Sequence, residues 1–211
     1  MTRVAFDVDC RRCPRLAAFL DDVKEKHPDY HCRPVPPFGD AKARLLIVGL
    51  APGMHGANRS GRPFTGDHAG LLLYETLHRH GFATAPESLH IDDGLELLDA
   101  RITNAVKCLP PDNKPVGAEI NTCNDFLANE IASLADGSVI LALGGIAHRA
   151  IVKATGHRQA DYKFGHGNVA ELGSHRLLDS YHCSRYNTNT GRLTAGMFDD
   201  VFDKARELLG A

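Results

Sequence analysis

The sequence predicts an α/β fold, a parallel sheet covered by helices, and three observations carry that prediction. The apolar run Leu45-Leu46-Ile47-Val48 empties into a long glycine-rich loop before a helix begins near Ala69. Such a loop lies at the carboxyl edge of a sheet, where open α/β folds build their sites. Ser138-Val-Ile-Leu-Ala-Leu-Gly144 is a continuous apolar run bounded by glycine, the pattern of a strand buried on both faces. A chain of 211 residues without a linker-like or low-complexity stretch suits one well-cored domain over residues 1–211.

Composition narrows the class. Hydrophobic residues at 43% and charged residues at 24% describe an ordinary globular protein, and no apolar run approaches a membrane span. The amino terminus, with Asp7, Asp9 and two early cysteines, does not resemble a secretory signal, so the expected compartment is the cytoplasm. A formal net charge of −2 gives no general pull towards nucleic acid, and any such binding needs a local patch.

Cys10-Arg-Arg-Cys13 is followed by Pro14, which suits the first turn of a helix. Leu16, Phe19, Leu20 and Val23 recur at helical spacing and carry that helix to Lys26 with one face buried. Two cysteines so spaced in a reduced compartment suggest a metal or cluster rather than a disulfide. Cys32 has no spaced partner and reads as a small buried residue. Arg33-Pro-Val-Pro-Pro-Phe-Gly-Asp40 is an extended connector into the strand at residues 44–50.

The loop from Gly49 to Asp67 holds five glycines and two prolines, which predicts fixed tight turns whose backbone comes close to a ligand. Arg59 and Arg62 add positive charge, Phe64 is apolar among turn formers, and Asp67 stands where a carboxylate caps a helix. No Gly-Lys-Ser/Thr ending follows, which excludes a P-loop. The next helix runs from Ala69 to His80 and ends at Gly81, a normal carboxyl cap.

An irregular polar stretch precedes the strand Arg101–Lys107, within which Asn104 is either a satisfied core amide or a group pointing into a pocket. Cys108-Leu-Pro-Pro-Asp-Asn-Lys-Pro115 then turns into a helix from Val116 to Ala135 that carries Cys123 two turns inside. Cys10, Cys13, Cys108 and Cys123 make a possible four-thiolate site. Zinc and a 4Fe-4S cluster both satisfy that count, and the unequal spacings fit the cluster slightly better. A helix from Ile146 to Ala154, a strand from Leu177 to Tyr181 and a final helix carrying Met197, Val201, Ala205 and Leu208 complete the chain. His182 opens a run of Ser, Asn and Thr with Arg185 and Arg192, donors and positive charge of the kind that grips a phosphate backbone.

Gly49–Asp67, Cys108–Pro115 and His182-Cys-Ser-Arg-Tyr-Asn-Thr-Asn-Thr-Gly-Arg-Leu-Thr194 resemble the first, middle and last motifs of the uracil-DNA glycosylase superfamily, and within it of the family 5 enzymes. Arg33–Asp40 fits as well, so the resemblance spans nearly the whole chain. It implies a three-layer α/β/α sandwich with a short central parallel sheet, and a 4Fe-4S cluster held by Cys10, Cys13, Cys108 and Cys123. It also implies hydrolysis of the N-glycosidic bond of uracil, or of deaminated bases such as hypoxanthine and xanthine, flipped out of DNA to leave an abasic site.

Carried over residue by residue, the resemblance has Phe64 stack on the base and Asn104 hydrogen-bond its edge. His182 would donate to the base oxygen where negative charge builds as the bond breaks. The backbone around Ala51, Pro52 and Gly53 would line the sugar and the attacking water. Related families place an Asn or Asp where this chain has Ala51, which leaves Asp67 to orient that water besides capping its helix. Arg59, Arg185, Asn187 and Asn189 are expected on the DNA, with Tyr186 and Asn187 candidates for the gap left by the flipped base. Cys183 stands where the family usually has proline. Monomeric action is expected. The alternatives are a non-catalytic iron-sulfur protein binding damaged or single-stranded DNA, favoured by Ala51, and a zinc-stabilised nucleotide hydrolase.

Overall fold

A computed structural model describes residues 5–210. In chain order the helices and strands are α1 (Pro14–Lys26), β1 (Phe38–Gly39), β2 (Leu45–Gly49), α2 (Ala57–Ser60), α3 (His68–Arg79), β3 (Ala100–Asn104) and α4 (Gly117–Ile131). They continue with β4 (Val139–Leu143), α5 (Gly145–Ala154), β5 (Val169–Leu172), β6 (His175–Ser180), α6 (Arg185–Asn189) and α7 (Ala195–Leu209). The strands form one sheet in the order β1-β3-β2-β4-β6-β5. Among the described residues, no helix is long and apolar enough to cross a membrane.

The sheet is parallel only in its centre. β3, β2, β4 and β6 run the same way, whereas β1 and β5 pair antiparallel along the two edges. The centre is thus the short parallel sheet expected from the sequence, with one antiparallel strand added on each edge. Both edge strands escape the sequence for physical reasons. β1 is two residues inside a proline-rich connector, and β5 exposes Val169 and Glu171 while burying only Leu172, so neither shows an apolar run.

Side chains alternate across the central strands with the period of two that a pleated strand imposes. Leu45, Ile47, Ile102, Leu141 and Leu178 face one side and pack on α3 and α7 through Leu73, Leu77, Phe198, Val201 and Phe202. Leu46, Val48, Ile140, Ala142 and Leu177 face the other and pack on α4 and α5 through Leu127, Ile131, Ala147 and Ile151. Each large side chain so buried stabilises the fold by about 1.5–3 kcal/mol. The result is three layers, α/β/α. α1 lies outside them in a smaller cluster, where Leu16, Leu20 and Val23 meet Val106, Cys108 and Leu109.

Parallel strands end on one edge, and the turns leaving β2, β3, β4 and β6 converge there. β3 stops at Asn104, three residues before the predicted end, because the next N–H groups leave the ladder. Those of Ala105 and Val106 donate to the carbonyls of Gly49 and Leu50 in the loop after β2. Lys107 then turns inward, its Nζ 2.6 Å from Glu130 Oε1.

Candidate active site

The first loop takes its shape from what its glycines leave open. Gly49 ends β2 directly beside Asn104 at the end of β3. A Cβ on Gly49 would lie 2.6 Å from Phe64 Cζ and closer still to Asn104 Oδ1. The missing side chain therefore lets the ring and the amide meet over the strand end. Phe64 has a φ of 56°, a left-handed conformation that is unusual for a bulky residue. Its carbonyl occupies the space that a side chain on Gly70 would need, and the Tyr74 hydroxyl donates to the neighbouring Pro63 carbonyl at 2.7 Å.

Arg62 does not serve the loop's surface charge, as its sequence position suggested. It is buried, donates to Ser88 Oγ at 3.0 Å and Asp93 Oδ1 at 2.8 Å, and stacks on Phe38 at 4.5 Å. Burial alone would raise Asp93. The Arg62 bond and three backbone N–H groups overcome that and hold it at about 2. Arg62 thus pins the segment around residues 88–93 beneath the loop, and only Arg59 of the pair stays exposed.

Asp67 caps α3, its Oδ1 accepting from the Gly70 N–H at 2.8 Å. Its Oδ2 faces the other way. A Cβ on Gly56 or Gly53 would sit 2.7 or 3.7 Å from that oxygen, so two glycines keep it open towards the cleft. Burial raises the Asp67 pKa, against the opposing hydrogen bonds from Gly70 and Ala69.

Asn104 is 3% exposed, and its Oδ1 has no hydrogen-bond partner. A buried acceptor left unpaired costs about 1–3 kcal/mol, so this amide is not a satisfied core group. It opens onto the cleft.

His182 lies two residues beyond β6, its ring stacked on Phe64 with centroids 5.9 Å apart and planes at 28°. Burial lowers its pKa to about 4. At neutral pH the ring is therefore uncharged and donates through one nitrogen only. Its backbone is held by Asn187, whose Nδ2 donates to the His182 carbonyl at 2.8 Å. Asn187 sits in α6, capped by Ser184, while Tyr186 beside it is 72% exposed. Cys183, at the family's proline position, is buried in the core against α7, and burial raises its thiol pKa.

These groups surround one cleft of about 540 Å³. Ala51, Gly53, Phe64, Asp67, Asn104 and His182 all line it, as do Arg185 and Asn187, while Arg59 and Asn189 lie outside its lining. Phe164, Tyr181 and Arg192 line it as well, with the Arg192 guanidinium 4.6 Å above the Tyr181 ring. Phe164 escaped sequence reasoning. Its one signal was an aromatic set beside Gly165 and Gly167, the setting in which Phe64 was noticed.

A second, small cavity lies where α1 meets the turn after β3 and the side of α4. Cys10, Cys13, Cys108 and Cys123 line it with Leu16, Val106 and Phe126, and none is in a disulfide. The Lys107 N–H donates to Cys123 Sγ at 3.3 Å. Burial, and after it the charges of the other three thiols, push Cys108 up to about 12. Such thiols would release their protons to solvent on binding a metal centre, and thiolates suit zinc and iron-sulfur groups. Among the described residues, no three His, Cys, Asp or Glu side chains are placed to hold a metal ion.

Residues 36–209 match the family model of the uracil DNA glycosylase superfamily. The type-5 uracil-DNA glycosylase of Thermus thermophilus is 46% identical over 207 residues, covering 95% of this chain and 94% of that one. The type-5 enzyme of Pyrobaculum aerophilum is 42% identical over 202 residues, covering 94% and 88%. A crystal structure of wild-type Pedobacter heparinus SMUG2 is similar in fold, with a TM-score of 0.50 at 14% identity over 80% of this chain and 76% of that one.

Proposed function

Because the chain belongs to the uracil DNA glycosylase superfamily, with its type-5 members among its relatives, we propose that it hydrolyses the N-glycosidic bond of uracil and deaminated purines in DNA. The base is turned out of the helix into the cleft, and an abasic site remains. The observation that carries the proposal is the convergence of Asp67 Oδ2, the unpaired Asn104 amide and the Phe64–His182 stack on one cleft.

Phe64 gives the base a flat apolar face, and Asn104 Oδ1 accepts from an imide N–H at its edge. The glycosidic bond breaks with its electron pair leaving on the base, and charge gathers on the base carbonyl. A neutral His182 donates to that oxygen and stabilises the transition state more than the ground state. Water, aligned by Asp67 Oδ2, bonds to the electron-poor sugar carbon and gives its proton to the carboxylate. Ala51 adds no polar side chain beside Gly53. The cleft falls within the ordinary size range of small-molecule pockets.

Arg59, Arg185 and Asn189 would meet phosphates of the DNA, and Tyr186, which is exposed, would fill the gap in the helix in preference to Asn187, which is engaged with the His182 carbonyl. The four cysteines would hold a 4Fe-4S cluster that ties α1 to the turn after β3. Its chemistry there is structural cross-linking. The enzyme is proposed to act as a monomer.

Incubation with a duplex carrying one uracil, followed by alkaline cleavage of abasic sites, tests the proposal. Strand breaks that depend on both uracil and protein are expected. Binding without breaks would instead favour a DNA-binding iron-sulfur protein.

A further inference from the structure

His148 and Asp179 form a buried pair to which the reaction above gives no task. Each is 2% exposed, and His148 Nδ1 lies 2.8 Å from Asp179 Oδ1. The other ring nitrogen lies 3.1 Å from the Tyr162 carbonyl oxygen. Both partners are acceptors, so the ring donates from both nitrogens and is a cation against the carboxylate. Asp179 Oδ2 accepts from the Gly165 N–H at 3.2 Å. The Asp179 main chain bonds the same segment twice more, its carbonyl to the Gly167 N–H at 2.8 Å and its N–H to the Asn168 carbonyl at 2.9 Å. Residues 162–168 are thereby fastened to α5 and β6 at both ends.

Phe164 stands in the middle of that fastened segment. Its ring is edge-on to His148 at 5.7 Å and tilted against Tyr181 at 6.1 Å. It packs over Gly145, where a Cβ would meet it at 3.8 Å. It lines the cleft that holds Phe64, Asp67, Asn104 and His182. A buried ion pair is a weak stabilising device, since desolvation of both charges offsets their attraction. Fixing a loop in one place is a use that such a pair does serve.

We propose that Phe164 is a wall of the base pocket that contacts the flipped nucleotide, and that His148 and Asp179 are positioning residues that hold it there. The proposal rests on the glycosylase reading. Beside Leu50, Phe64 and Asp67, the first motif lines the cleft with Ala51, Gly53 and Ala57, small residues that add little confinement to the face Phe64 supplies. A rigid aromatic side chain in the same lining, held from α5 and β6, supplies further confinement.

The test is uracil release under single turnover, together with anisotropy binding to a duplex bearing one 2′-fluoro-deoxyuridine, which keeps the base while its glycosidic bond resists cleavage. The proteins are the wild type, Phe164→Ala, Phe164→Tyr, Asp179→Asn and the double variant Phe164→Ala/Asp179→Asn. Phe164→Ala is expected to raise the half-saturating DNA concentration about tenfold, with a smaller fall in the saturating rate, and Phe164→Tyr to restore it. Asp179→Asn is expected to weaken activity alone yet add less than about twofold to Phe164→Ala, the non-additivity of coupled residues. Phe164→Ala with wild-type constants, or an Asp179→Asn cost that is equal in both backgrounds, overturns the proposal. Should Asp179→Asn fail to fold, the two Phe164 variants decide. Absence of uracil release by the wild type would sink the glycosylase reading separately. Binding then becomes the readout, with loss in Phe164→Ala supporting the wall and no change overturning it.

Discussion

The carbonyl of Phe64 lies where a side chain on Gly70 would have to be, so the strained turn of the first loop and the first turn of α3 are a single fitted unit. Gly70→Ala forces either Phe64 off its left-handed conformation or the helix away from the loop. Strain of this kind is worth about 1–3 kcal/mol. The substitution should lower the urea midpoint accordingly and reduce uracil release at least about tenfold, because Phe64 and Asp67 move with it. Urea titration and single-turnover release check both parts.

Asn104 holds a buried oxygen without a partner, a cost to folding that only a ligand offsets. Asn104→Ala should therefore leave the melting temperature unchanged or raised while cutting kcat/KM on uracil duplex by about 10- to 100-fold. Calorimetry beside steady-state kinetics separates these outcomes. A lowered melting temperature would mean the amide is part of the core after all.

His182 titrates at about 4 in the folded protein, against about 6.5 for an unperturbed histidine. The unfolded chain binds the proton first as pH falls. The contribution of a neutral His182 to stability is complete above about pH 6.5 and is lost down to about pH 4, at about 1.4 kcal/mol per pH unit. His182→Asn removes this dependence. Urea titrations at several pH values should show a shallower acid loss for the variant than for the wild type, and parallel losses would contradict the assignment.

Metal analysis of protein purified without air should find four irons and four acid-labile sulfides per chain, with broad visible absorption. Cys108→Ser should cost folding before chemistry, seen as loss of soluble protein or early proteolysis at α1. Zinc alone, or a fully folded and active Cys108→Ser, would argue against the cluster.

Legibility in the sequence followed burial. β2 and β4 are buried at every position, so their apolar runs announced them, and the loops after them followed. α2 and α6 are four and five residues long, too short for a helical period to register. Asp67 could be read as a cap because it stands just before a helix, whereas the position of its second oxygen beside Gly53 and Gly56 comes only from the fold. Arg59 and Arg62 could not be told apart, since the partners of Arg62 lie around residues 88–93 and only the fold brings them near. Asn104 stayed ambiguous for the same reason. Whether an amide is satisfied depends on neighbours distant in sequence.

The most direct test of the account is Asp67→Asn, which keeps the cap acceptor for Gly70 and removes the charge that faces the cleft. Single-turnover uracil release and binding to an abasic-analogue duplex would be measured on the same preparation. The account predicts a fall in rate of about 10²- to 10⁴-fold with binding changed by less than about threefold. Equal loss of rate and binding, or a wild-type rate, would show that Asp67 only caps its helix and that another group handles the water.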